Sequence, residues 1–192
     1  MKVILFADVT DPWSYVGSTR FERAAAMYSI LTGEPIEIAY RAARPARDTP
    51  AEEVARAARI SGIDLNVDDV VTADSTDAWR LLTWAAESGD ATQRDLLHQL
   101  WRAHFLEGAD LSDALTLASR AALVGLELET AEALLASPEY LDVVTTQQRT
   151  ARELGADDLP YVVVDDRWTL SGLQSQDDYI QALHRIRADQ DR

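Results

Sequence analysis

Asp8-Val9-Thr10-Asp11-Pro12-Trp13-Ser14-Tyr15-Val16-Gly17 follows directly on the apolar run Val3-Ile4-Leu5-Phe6-Ala7, and together they read as strand, tight turn and helix start. The run is short and β-prone. Asp11 suits an N-cap, because its carboxylate can accept from backbone N–H groups two or three residues on. Pro12 suits the first helical position, where its missing N–H costs nothing. A helix that starts there presents free N–H groups and a partial positive charge, which stabilise an anion. Any chemistry in this chain is expected at that turn.

Working outward, the helix is predicted from Pro12 to about Leu31, with Tyr15, Val16, Phe21, Ala24, Ala25, Met27, Tyr28 and Leu31 near helical spacing and Gly33 as its stop. Glu34 to Tyr40 alternates polar and apolar residues and reads as a second strand, which closes a right-handed βαβ unit. Arg41 to Pro50 is a proline-containing loop. Its Arg41, Arg44 and Arg47 read either as solvated charges or as an anion-binding patch. Between Thr49 and Glu153 no strand is evident. Cap and stop signals at Thr49-Pro50, Ser61-Gly62, Gly89-Asp90, Gly108-Ala109-Asp110, Gly125 and Ser137-Pro138 divide that stretch into five or six helices, near 50–60, 76–88, 91–107, 111–123, 129–136 and 138–154. Residues 159–172 then read as strand, Asp165-Asp166 turn and strand, followed by a last helix over about 175–188.

Composition narrows the function. The 192 residues form one unbroken stretch, and 33 Asp and Glu against 18 Lys and Arg give a net charge of −15. A field of that sign repels nucleic acid and anionic lipid, so neither is expected as a partner. The N-terminal apolar run is too short for a signal peptide, and no window approaches the length of a membrane span; a cytoplasmic protein is expected. There is no cysteine, which removes disulfides, thiolates and cysteine-ligated metals from consideration. His98 and His104 lack metal-ligand spacing and His184 is remote, so no metal site is expected. Trp79, Trp84, Trp101 and Phe105 recur near helical spacing, either as core or as the lining of a cleft.

The 8–17 stretch resembles the active-site turn of the DsbA family of thioredoxin-fold oxidoreductases, in its FrnE-like branch, where the pattern is Asp-x-x-Cys-Pro-Trp-Cys-Tyr-x-Gly. In this chain Asp11 stands for the nucleophilic cysteine and Ser14 for the resolving one, so Cys-x-x-Cys has become Asp-Pro-Trp-Ser. Leu100 to Leu111 and Ser171-Gly172-Leu173-Gln174 also resemble segments of that branch. The resemblance implies an α/β, thioredoxin-like fold (βαβ … ββα) with an inserted all-helical subdomain: residues 1–48 and 155–192 form the thioredoxin-like part, and 49–154 the insert. It further implies a cis-proline at Pro160, with the backbone of Leu159 turned to the cleft. Pro12, Trp13, Leu159, Pro160 and Gln174 are the implied ligand-binding residues, and Asp11 and Ser14 hold the catalytic positions.

A carboxylate cannot carry out thiol–disulfide exchange, so dithiol chemistry is excluded by the atoms present. Three readings follow. The chain binds an extended peptide or a small thiol-containing ligand beside Pro160 without redox chemistry. Alternatively it is a glutathione-dependent transferase or isomerase, similar to kappa-class glutathione transferases and 2-hydroxychromene-2-carboxylate isomerases, with glutathione as cofactor and Asp11 as a general base. The third is a structural or oligomerising role, such as a homodimer, with a vestigial turn.

Overall fold

In the computed structural model, which describes residues 1–46, 51–66 and 70–190, the fold is the thioredoxin-like one that the turn and its flanks imply. Strand β1 (Lys2–Ala7) runs into helix α1 (Pro12–Thr32), which returns the chain to β2 (Glu37–Ala42). Helices α2 (Ala51–Ile60), α3 (Thr76–Ala85), α4 (Asp90–Phe105), α5 (Ala114–Leu123), α6 (Leu128–Leu135) and α7 (Leu141–Glu153) follow. The chain closes with β3 (Tyr161–Val164), β4 (Trp168–Ser171) and α8 (Gln176–Gln190). The four-stranded sheet has the order β2-β1-β3-β4, parallel between β1 and β2 and antiparallel elsewhere.

Alternation along β1 sends side chains to two layers. Val3 and Leu5 join the cluster that holds Phe21, Ala24 and Tyr28 of α1 and Tyr179, Leu183 and Ile186 of α8. Phe21 meets Tyr179 edge-on at 5.2 Å between centroids, a favoured aromatic geometry. Ile4 and Phe6 face the other way, toward Tyr161, Val163, Leu159 and Ala151. The first cluster continues without a break into α3, α4 and α5 through Trp79, Leu82, Leu97, Trp101 and Leu117. Trp79, Trp101 and Phe105 are therefore core, each no more than 2% exposed, and not the walls of a cleft.

Local chemistry explains where elements depart from the expected bounds. The second strand begins at Glu37, not Glu34, because its pairing starts where Glu37 N–H reaches Met1 C=O (3.0 Å); it runs on to Ala42, so Arg41 belongs to a strand and not to a loop. Helix α5 waits until Ala114 because Asp113 is its cap, accepting from Thr116 N–H at 2.8 Å. Tyr140, with φ 62°, delays α7 to Leu141. The turn between β3 and β4 places Asp165 and Asp166 at φ 47° and 54°, the left-handed pair that Asp tolerates in a hairpin. Asp165 is held further by Lys2 N–H at 2.7 Å and Gln190 Nε2 at 2.6 Å. Arg47 of the arginine patch and the Thr49-Pro50 helix start lie outside the described residues. Arg44 of the same patch pairs with Asp74 at 3.1 Å.

Buried arginine ties the helical stretch together. Arg80 on α3, 4% exposed, donates to the carbonyls of Leu134 (2.6 Å), Ser137 and Glu139 (2.7 Å) and to Asp77 (2.7 Å). It caps the end of α6, whose last carbonyls have no helical partner.

Candidate functional site

The turn after β1 folds as its residues dictate. Asp11 has extended backbone (φ −92°, ψ 118°), and its carboxylate accepts from Ser14 N–H at 2.7 Å, with Pro12 in the first helical turn. The same Oδ2 takes the Ser14 hydroxyl at 2.7 Å. In turn Ser14 Oγ accepts from the backbone N–H of Asp8 at 3.0 Å. The hydroxyl at the second lost cysteine position is thus spent on both sides. Ser14 is fully buried and Asp11 5% exposed.

Asp8, at the end of the apolar run, is a further member of the site beyond those that the sequence predicts. It is 4% exposed, accepts from Thr10 N–H at 3.1 Å, and takes a hydrogen bond from the Ser75 side chain. Ser75 therefore faces Asp8 instead of capping α3; Asp74 does that work, accepting from Thr76 N–H at 2.7 Å. Burial pushes the Asp8 carboxyl above the usual carboxylate range, against the pull of its hydrogen bonds and of Arg44. Asp11 is pushed up to about 6, first by burial and, more weakly, by the neighbouring Asp8 charge, while the Ser14 bonds oppose the rise. The signal for Asp8 was its place: an acid ending an apolar strand cannot easily leave the core.

Pro160 comes to the same place by another route. Phe6 pairs with Tyr161 in the antiparallel register, which sets Pro160 beside the end of β1. The Leu159–Pro160 bond is cis. Pro160 packs on α1 at Gly17, where a Cβ would fall 2.3 Å from Pro160 Cδ and 3.4 Å from Leu173 Cδ1. Leu159 is 4% exposed and shares a cluster with Phe6 and Tyr161. Trp13 is half-buried against Val16, Val54, Ala58 and Ile63, so α2 flanks the turn.

Gln174 is anchored, its Nε2 donating to Ser171 C=O at 3.0 Å and its own C=O accepting from Arg20 at 3.0 Å. Arg20 also donates to Ser61 Oγ (2.6 Å) and Ala57 C=O (2.9 Å), binding α1, the end of α2 and the segment before α8 together. The start of α8 is satisfied internally: Asp178 N–H donates to Ser175 Oγ at 3.1 Å, and Asp177 and Asp178 fill its first turn. A ligand carboxylate is disfavoured there. His98 pairs with Glu22 at 2.8 Å. His104 is buried, and burial lowers it to about 4. Among the described residues no group of three or more His, Asp or Glu side chains is arranged to hold a metal.

Residues 2–184 match the DSBA-like thioredoxin domain. The chain belongs to that family. Among solved structures, this DSBA-like chain is similar to a probable DsbA oxidoreductase from Streptomyces coelicolor, with 28% identity, 96% of this chain and 89% of that one covered, and a TM-score of 0.83. It shares its fold with the cytosolic disulfide reductase DsbM from Pseudomonas aeruginosa, solved with GSH, at 22% identity, 97% and 98% coverage and a TM-score of 0.70. The fold is also that of a 2-hydroxychromene-2-carboxylate isomerase, at 19% identity, 98% coverage of both chains and a TM-score of 0.71. No curated protein matches. The DSBA-like chain thus has the fold of these proteins while having no cysteine. Among the described residues no helix is long and apolar enough to cross a membrane.

Proposed function

We propose that this DSBA-like protein binds an extended peptide or a small thiol-containing ligand, of the glutathione kind, between the Asp11–Ser14 turn and Leu159–Pro160, and does so without dithiol redox chemistry. The reading rests above all on the packing of Pro160 over Gly17, which brings the turn and the proline to one end of the sheet. Pro12 and Trp13 border the ligand on the helix side, Leu159 offers it backbone groups, and Gln174 closes the far side. In this reading residues 1–48 and 155–192 form the thioredoxin-like part and 49–154 the helical insert, the setting is cytoplasmic and the chain falls in the FrnE-like branch. Association into a homodimer belongs to the same reading and is checked by light scattering.

Calorimetric titration with glutathione and with an extended peptide tests it. Saturable heat with either ligand, weakened by Trp13→Ala, supports the reading. No heat and no thermal shift with both at millimolar concentration sinks it.

One observation favours a second reading, a glutathione-dependent transferase or isomerase. With its carboxyl pushed up to about 6, Asp11 can take a proton from a bound thiol near neutral pH, the range in which a general base works best. Having taken the proton Asp11 is neutral beside the thiolate; losing that proton to solvent would leave two like charges in contact, so the proton has to stay between carboxyl and sulfur. Glutathione-dependent conjugation of an aryl halide, lost in Asp11→Asn, would establish that activity.

A further inference from the structure

A cleft of about 400 Å³ opens between β1, β2 and α7, on the face of the sheet turned away from α1. Ile4, Phe6 and Val143 give it apolar walls, and Arg41, Gln147 and Asp142 supply the polar groups. The size and the mixture of apolar walls with a few convergent polar groups are those of small-molecule sites. Ile4 and Phe6 alternate along β1 and so share the face, and Phe6 is paired with Arg41 in the parallel register.

Arg41 is half-buried and forms no ion pair among the described residues. It donates to the Tyr40 carbonyl at 2.8 Å, which leaves most of a guanidinium's N–H donors for something else. Arg20, also half-buried and without an acid, by contrast engages all three of its nitrogens, on two carbonyls and a hydroxyl. Gln147 accepts from Ala42 N–H at 2.9 Å through Oε1, so its NH2 group is the remaining donor. The remaining guanidinium N–H groups and the Gln147 amide, which reaches the residue next to Arg41, both line the cleft and complement a planar anion. Asp142 is exposed at the rim and directs negative charge away from its own end. A neighbouring cleft of about 290 Å³ also touches Ile4 but sets Glu37, Asp90 and Asp166 against a single cation, Lys2, a net acidic lining that disfavours an anion.

We infer that the β1–β2–α7 cleft binds a small organic carboxylate with a flat apolar body, its carboxylate on Arg41 and Gln147 and its rings over Ile4, Phe6 and Val143. The site lies on the other side of the sheet from α1 and is independent of the Asp11–Pro160 reading.

Titration of the full chain with naphthalene-2-carboxylate, followed by calorimetry and by methyl NMR shifts of Ile4, Val143 and Thr146, tests the assignment. The carboxylate is expected to bind saturably, at least tenfold more tightly than 2-naphthylmethylamine. Arg41→Met lowers its affinity at least tenfold, and Thr146→Trp, which fills the cleft from the surface of α7, abolishes binding. Absence of saturable binding up to millimolar ligand, an amine that binds as well as the acid, or unchanged affinity in Thr146→Trp overturns it. Should Arg41→Met fail to fold, the acid-to-amine comparison on the unaltered protein and the Thr146→Trp variant decide the question by themselves.

Discussion

Pro160 rides directly on Gly17: a Cβ at residue 17 would lie 2.3 Å from Pro160 Cδ and 2.5 Å from its Cγ. The proline ring is stiff and the helix backbone cannot withdraw without disturbing the Asp11 cap, so neither partner yields cheaply. Gly17→Ala is therefore expected to cost about 1–3 kcal/mol, the range for overpacked cores, measured by denaturant unfolding. It should also weaken any ligand bound at the turn. A neutral Gly17→Ala would mean that the two elements slide freely past one another.

Asp11 makes stability depend on pH with an unusual sign. Its folded value, about 6 against 3.8, is raised, so the native state holds a proton that the unfolded chain has already lost between those values. Stability then falls as pH rises from about 4 to 6, by up to about 3 kcal/mol from this group at 1.36 kcal/mol per unit. Asp8, raised as well, acts in the same direction. Asp11→Asn keeps the cap and removes the charge, so it should stabilise the protein at pH 8 and flatten part of the slope. Thermal unfolding of both proteins from pH 4 to 8 checks this; an Asp11→Asn protein less stable than the parent at pH 8 would contradict it.

Ser14 holds the turn from inside. Replacement by Ala strands the buried N–H of Asp8, which now donates to Ser14 Oγ at 3.0 Å, at a cost of about 1–3 kcal/mol. It also removes the hydrogen bond that the Ser14 hydroxyl donates to Asp11 Oδ2, so the Asp11 carboxyl should titrate at higher pH. Carboxyl NMR titration reads the second effect independently of the first.

Arg80 is tested by Arg80→Met, which keeps most of the apolar stem and removes the donors to Leu134, Ser137 and Glu139. The Ser137 and Glu139 carbonyls, which lie between α6 and α7, lose the guanidinium together, while Leu134 C=O keeps the Ser137 N–H and hydroxyl; a loss of about 3 kcal/mol is expected, built from charge-assisted bonds of about 1.5–3 kcal/mol each and their partial replacement by water. The ligand site, remote from α6, should be unaffected.

The frame of this fold was legible where local chemistry and long-range packing agree. Asp11 and Pro12 announce a helix start by themselves, and the apolar run before them has only one comfortable place, a buried strand. Pro160 was legible through its resemblance, and the register of Phe6 with Tyr161 places it. What stayed hidden depends on partners distant in sequence. Nothing local reveals that Ser75 turns from its own helix to Asp8, or that Gln93 bridges Tyr40 N–H at 2.9 Å and its carbonyl at 3.1 Å. The polar and apolar alternation stops at Tyr40 and so predicts a loop at Arg41, whereas pairing with β1 carries the strand to Ala42. That extension is what delivers a guanidinium to the cleft against α7.

In the function proposed above, Asp11 and Ser14 put oxygens where the resembling family has sulfurs, on an unchanged scaffold. Asp11→Cys combined with Ser14→Cys tests it most directly, by insulin-disulfide reduction together with the thiolate absorbance of the first cysteine across pH. The double variant is expected to reduce insulin and to ionise that thiol below the ~8.5 of a free cysteine, because the helix start favours the thiolate. An inert pair with an ordinary thiol pKa, in a protein that remains folded, would contradict the account.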